Sequence, residues 1–195
     1  TSFPVKTYLP AKGIKYFGEK YWINFSACVR NCTCFFLANL ILRFLSISKH
    51  LKSADLPMVD GLIYICTVLR KTFDHYDWVG FYFADLDKKM LHLKAYSGNP
   101  VEHQQIPFGK GICGQVAVSN QNFIVPDVNA QDNYLACSID VKSEIVIPLF
   151  LEGQNIGQID IDSHKINPFC DKDVQLLEAV CDLIAKTYSK TLLQL

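Results

Sequence analysis

The sequence predicts an α+β domain, an antiparallel sheet with helices packed on one face. Three observations lead there. Apolar residues recur at helical spacing in two segments, one after Asp55 and one after Asp171. Between them, runs rich in β-branched and aromatic residues come in pairs, joined by turns so short that the strands must be antiparallel neighbours. Half of the 195 residues are hydrophobic and 19% are charged, enough to bury a sizeable core.

Residues 1–53 read as an N-terminal extension without a clear period, and residues 54–195 as the domain. Cys34 to Ile47 is nearly unbroken apolar sequence, interrupted by Asn39 and Arg43. It falls short of the about 20 residues a membrane-spanning helix needs, so it is read as a buried or interfacial helix. Cys28, Cys32 and Cys34 are close together, but no histidine or second cysteine pair stands at zinc spacing, and no metal site is assigned.

The segment 54–73 is read as a helix. Asp55 is its candidate N-cap, Pro57 is tolerated in the first turn, and Val59, Leu62, Ile63, Cys66, Leu69 and Phe73 recur at helical spacing. Asp77 to Ala84 is a strand, Asp85-Leu86-Asp87-Lys88 turns the chain, and Met90 to Tyr96 returns with Leu91, Leu93 and Ala95 on one face. Ser97-Gly98-Asn99-Pro100 breaks the pattern. Phe108-Gly109-Lys110-Gly111 then leads into a short helix, Ile112 to Ser119, whose first turn holds Cys113. A thiolate there is favoured by the helix dipole. Phe123-Ile124-Val125 is a short strand, and the polar loop 127–136 delivers Cys137.

Glu144 to Phe150 and Asn155 to Asp162 are strands turned around Glu152-Gly153, and their register is open. A two-residue loop pairs Glu144 with Ile161, which separates Glu144 from Asp160 by face. A three-residue loop with a glycine bulge pairs Glu144 with Asp162 and Val146 with Asp160, and all three acids then share a face. Asp171 is the expected cap of a final helix with a buried stripe of Val174, Leu177, Cys181, Ile184 and Tyr188.

Nineteen basic residues balance nineteen acidic ones. No global basic field exists to attract nucleic acid or an anionic membrane. Eight cysteines invite a disulfide framework, but Cys66 and Cys181 sit in apolar helical patterns where a cysteine acts as a small hydrophobe. The stretch Thr1 to Lys6 lacks a basic region followed by an apolar core. A reducing, cytoplasmic setting is the expectation, where a few thiols are available for redox chemistry.

The candidate site lies between Phe108 and Ser163. Cys113 and Cys137 supply thiols, and Glu144, Asp160 and Asp162 supply carboxyl groups. Asp160 and Asp162 alternate with Ile159 and Ile161, which alone describes an ordinary amphipathic strand. Glu144 at the start of the neighbouring strand gives the pair a second meaning. Three acids on one patch repel one another, so at least one has a raised pKa, suited to a general acid or to an ammonium pocket. Trp78 and Tyr82 alternate along one strand; sheet packing is their default role and a pocket wall the functional one. His103 is a loop histidine and a candidate proton donor.

Trp78-Val79-Gly80-Phe81-Tyr82, Phe108-Gly109-Lys110-Gly111-Ile112-Cys113-Gly114, Leu135-Ala136-Cys137, Ser143-Glu144-Ile145-Val146 and Ile159-Asp160-Ile161-Asp162 together resemble the GAF-domain free methionine-R-sulfoxide reductases. The likeness runs from about Leu62 to about Tyr188. It implies a GAF-like fold, a homodimer, and free methionine-R-sulfoxide as substrate. Glu144, Asp160 and Asp162 would hold the ammonium group, with Trp78 and Tyr82 walling the S-methyl end. Cys137 would attack the sulfoxide sulfur while an acid protonates the oxygen, leaving a sulfenic acid. Cys113 would resolve it to a disulfide that thioredoxin, an external reductant, reduces; the opposite assignment of the two cysteines is also open. No bound cofactor or metal is implied. The sequence departs from the family pattern at His103, where a third cysteine is typical, at Tyr134 for a histidine and at Ser138 for an aspartate. A non-catalytic GAF module binding a small molecule, as sensor or regulator, is the alternative.

Overall fold

The computed structural model describes residues 46–51, 56–133 and 140–193. Residues 46–51 are helical. Helix α1 spans Met58–Thr72, followed by strands β1 (Trp78–Asp85), β2 (Met90–Ser97) and β3 (Gln105–Pro107), helix α2 (Gly111–Ser119), strands β4 (Phe123–Val125), β5 (Ser143–Leu151) and β6 (Gln154–Ser163), helix α3 (Asp171–Thr187) and the short helix α4 (Ser189–Leu192). The six strands form one antiparallel sheet in the order β3-β2-β1-β6-β5-β4. This is the α+β architecture expected. No helix among the described residues is long and apolar enough to cross a membrane.

The two long helices cover one sheet face. Leu62, Ile65, Cys66 and Leu69 of α1 and Leu177, Val180, Cys181 and Ile184 of α3 pack with Val79, Phe81, Ile145, Ile147, Ile159 and Ile161. Ile47 and Leu51 belong to the same core. Burial pushes the Cys66 and Cys181 thiols far up, as befits small hydrophobes. The opposite face carries a second cluster, in which Ile112, Cys113 and Val116 of α2 pack on Trp78, Tyr82 and Val146. Alternation along β1, β5 and β6 thus serves two cores, one of them beneath the site.

Several local expectations need correction. The α1 stripe is Met58, Leu62, Ile65, Cys66 and Leu69, while Val59 and Ile63 point outward at 43% exposure each. Both are apolar, but they stand one position outside the i, i+3, i+4 row. Pro57 is the N-cap, and Asp55 lies outside the described residues. At α3 the cap is Cys170, whose amide donates to Asp173 Oδ2 at 2.8 Å; Asp171 is the first helical residue. In β2 a bulge at Lys94 pairs Ala95 with Phe81 and Leu93 with Tyr82, so Leu91 and Leu93 join the site-side cluster and Ala95 the helix side. The extension's expectations, apart from residues 46–51, lie outside the described residues.

The β5–β6 hairpin combines features of both registers considered. Glu152 and Gly153, at φ 52° and 85°, form a two-residue turn that pairs Leu151 with Gln154 and Phe150 with Asn155. A bulge at Ile156 then pairs Leu149 with Gly157. From there Glu144 stands opposite Asp162 and Val146 opposite Asp160. The hydrophobic pattern requires the bulge: only this register puts Ile145, Ile147, Ile159 and Ile161 together on the helix side.

Candidate active site

Because directly paired residues share a face, Glu144, Asp160 and Asp162 rise from one patch of β5 and β6. Each is at most 5% exposed. On the other flank of β6, Trp78 pairs with Asp162 and Gly80 with Asp160. Gly80 is what lets the indole lie down: a Cβ there would occupy the space of the Trp78 six-membered ring. The indole Nε1 donates to the Asn99 carbonyl at 3.1 Å, and its ring stacks on Tyr96 at 5.8 Å. Tyr82 is fully buried and donates its hydroxyl to the His103 carbonyl at 3.0 Å.

Helix α2 brings the thiol. Its N-terminal turn seats against the preceding loop because Gly114 has no Cβ to meet the Pro107 carbonyl and the Gly109 backbone. Cys113 lies in that turn at 3% exposure, with Sγ 3.9 Å from Glu144 Oε1. The thiol therefore faces carboxyl groups, and their ionised forms work against the thiolate that the helix start favours. Asn133 ties the polar loop to the same turn, accepting from the Gly111 amide at 3.3 Å and donating to the Gly109 carbonyl at 2.9 Å. Cys137, four residues further on, lies outside the described residues.

Burial dominates the electrostatics. It holds the Glu144 carboxyl well above the usual range, reinforced by Asp160 and Asp162. Asp162 is raised well by burial, then by Asp160 and Asp77. Burial pushes Asp160 up to about 7, against the lowering effect of a hydrogen bond from Cys113. One carboxyl group is thus poised to hold a proton near neutral pH.

A small, narrow cleft opens here, lined by Ile106, Lys110, Gly111, Ile112, Cys113, Glu144 and Asp160. Of the residues singled out from sequence, Cys113, Glu144 and Asp160 line it. Asp162 sits in the same row of acids, and Trp78 and Tyr82 lie in the buried layer alongside. His103 contributes its backbone carbonyl to Tyr82. Sequence reasoning missed Gly80, which is legible in retrospect as a glycine between two aromatics of one strand face. It also missed Asn133, whose role depends on a backbone 22 residues away and leaves no local signal.

The GAF domain family model matches residues 63–187. Free methionine-R-sulfoxide reductase of Saccharomyces cerevisiae is 39% identical over 113 residues, 57% of this chain and 62% of the relative, so the chain spans less than two thirds of that protein. Free methionine-R-sulfoxide reductase of Escherichia coli is 36% identical over 59% of this chain and 68% of the relative. The X-ray structure of free methionine-R-sulfoxide reductase from Neisseria meningitidis in complex with its substrate superposes with a TM-score of 0.72 at 28% identity, covering 86% of this chain and 96% of that one. The chain belongs to the GAF-domain family and, within it, to the free methionine-R-sulfoxide reductases.

Proposed function

We propose that this chain is an enzyme that reduces free methionine-R-sulfoxide to methionine by thiol chemistry. One observation carries the reading: a thiol, Cys113, stands 3.9 Å from Glu144 in a patch that also holds Asp160 and Asp162, in a chain of this family. The ammonium group of the substrate binds the acidic row, with Trp78 beside its S-methyl end and Tyr82 in the same layer. The Cys137 thiolate attacks the sulfoxide sulfur, and a protonated carboxyl group, Asp160 or Glu144, delivers a proton to the oxygen. The oxygen passes to the Cys137 sulfur as its bond to the substrate sulfur and the transient sulfur–sulfur bond break, so methionine leaves and Cys137 is oxidised to the sulfenic acid. The Cys113 thiol then displaces that oxygen as water, giving a disulfide that an external dithiol of the thioredoxin type reduces. His103 stands at the family's third cysteine position, which leaves recycling in this chain to Cys113 or directly to an external thiol, and the Cys113 route is the one proposed.

The test is NADPH consumption with thioredoxin, thioredoxin reductase and the free amino-acid sulfoxide. Turnover is expected for the wild type and background for Cys137→Ser. Cys113→Ser is expected to yield a single equivalent of methionine per chain and then stall. Wild-type rates equal to those of Cys137→Ser would sink the proposal. The S-sulfoxide and methionine sulfoxide within a peptide are expected to be poor substrates.

A further inference from the structure

We propose that Cys113, Glu144 and Asp160 bind a zinc-class divalent ion, and that this ion closes the cleft. One ligand atom from each, the sulfur and two carboxylate oxygens, lie within 4.8 Å of one another, and all three residues are buried. Tetrahedral zinc, with Zn–S near about 2.3 Å and Zn–O near about 2.0 Å, needs sulfur and oxygen about 3.5 Å apart. The Sγ–Oε1 separation of 3.9 Å is a small adjustment away.

A second observation is independent of that spacing. Asp160 Oδ1 is buried without a hydrogen-bond partner among the described residues, although Asp160 lines the cleft at only 2% exposure. An orphaned carboxylate oxygen in such a place is costly unless something cationic or donating meets it. Neither Glu144 nor Asp160 forms an ion pair among the described residues. A dication that reaches the cleft therefore meets an oxygen in need of a partner.

The donor set selects the ion. A thiolate disfavours magnesium and calcium, which prefer all-oxygen shells, and suits zinc, cadmium or cobalt(II). On binding, the Cys113 S–H bond breaks, its proton passes to solvent, and a sulfur–metal bond forms without change of oxidation state. The two carboxylates and the thiolate carry three negative charges against two on the ion. Three protein ligands leave a fourth position facing the cleft.

Blocking rests on the proposed reductase reading, since a metal-bound Cys113 cannot resolve a sulfenic acid and a metal-bound Glu144 cannot hold an ammonium group. Binding does not rest on it. The experiment uses the full chain, kept reduced with a non-chelating phosphine and equilibrated with cobalt(II) and then zinc. A thiolate-to-cobalt charge-transfer band is expected, bleached by zinc. Other cysteines also take up metal, so the decisive comparison is by variant: Cys113→Ser, Glu144→Gln and Asp160→Asn are each expected to lose one equivalent of zinc. Wild-type stoichiometry in any of the three overturns the site. The amide variants keep the side-chain shape, and near-ultraviolet circular dichroism matching the wild type identifies those that are folded. Zinc is expected to suppress turnover more than tenfold, with recovery on adding a chelator; uptake without suppression overturns the blocking role. Failure of the reductase proposal appears as no turnover without zinc, with the cobalt spectrum unaffected.

Discussion

Asp160 shows how a single side chain trades stability for chemistry. Burial raises its carboxyl to about 7 from an ordinary 3.8. The folded chain therefore holds a proton that the unfolded chain releases. The sign follows: folding takes up that proton between about pH 4 and 7, and stability falls as pH rises through this window. At about 1.4 kcal/mol per unit, the cost above neutrality approaches about 4 kcal/mol. Asp160→Asn is thus expected to stabilise the protein at pH 8, by a few kcal/mol at most, and to change little at pH 4.5. Urea denaturation at the two pH values measures this, and an equal effect at both would contradict it. If Asp160 delivers the proton, the same variant loses turnover by about 10²–10⁴-fold. Asp173 provides a contrast. Burial pushes its carboxyl up, but hydrogen bonds from His75, the Cys170 amide, the Cys170 thiol and Tyr76 outweigh this and lower it. Its contribution is present above the unfolded carboxylate range and is lost as pH falls below it. The candidate acids were legible in the sequence because alternation along a strand assigns faces. Asn133 was not, because its hydrogen bonds reach a backbone 22 residues away, and Gly80 shows its role only beside the aromatics that flank it.

Among the elements, the β5–β6 hairpin decides whether the acids meet. Glu152-Gly153 announced the turn, but Ile156, the residue that sets the pairing, has nothing unusual in its side chain. The pattern on the two strands did contain the answer, since four isoleucines reach one face only in the bulged register. Deleting Ile156 is expected to remove the bulge and leave a regular two-residue hairpin, with Leu149 still opposite Gly157 and Glu144 still opposite Asp162. Turnover should then stay within about tenfold of wild type, whereas a misplaced acidic row would cost about 10²-fold. Ile156→Ala keeps the residue count and the register, so its turnover should stay within severalfold of wild type. Parallel steady-state assays of the two variants check this; a loss of about 10²-fold confined to the deletion would mean that the bulge itself holds the acids in place. The α1 stripe was misjudged for a related reason. Val59 and Ile63 are as apolar as their buried neighbours, and only the direction from which the sheet approaches makes one row inner and the other outer.

At the scale of the whole molecule, the core draws on residues well before the family match at residue 63. Ile47 is fully buried, and Leu51 is buried close to Gly61, which Tyr188 also approaches. Ile47→Ala is expected to cost about 2–5 kcal/mol, read as a lower melting temperature. Val59→Ala, on the outward row, should change stability by no more than about 0.5 kcal/mol. The apolar run ending at Ile47 is therefore tied to the domain at its final residues. The hairpin tip, by contrast, has slack. It is exposed, as loop tips that accept insertions and deletions usually are, and it sits about 25 Å along the strand from Asp162 at ordinary strand rise. Loss of the bulged residue leaves a regular two-residue hairpin, and extra residues lengthen the loop, with Leu149 opposite Gly157 in either case. Related sequences that keep the acidic row are therefore expected to vary in length at this tip, by single residues too, while the spacing from Gly157 to Asp162 stays fixed, a pattern readable from sequences alone.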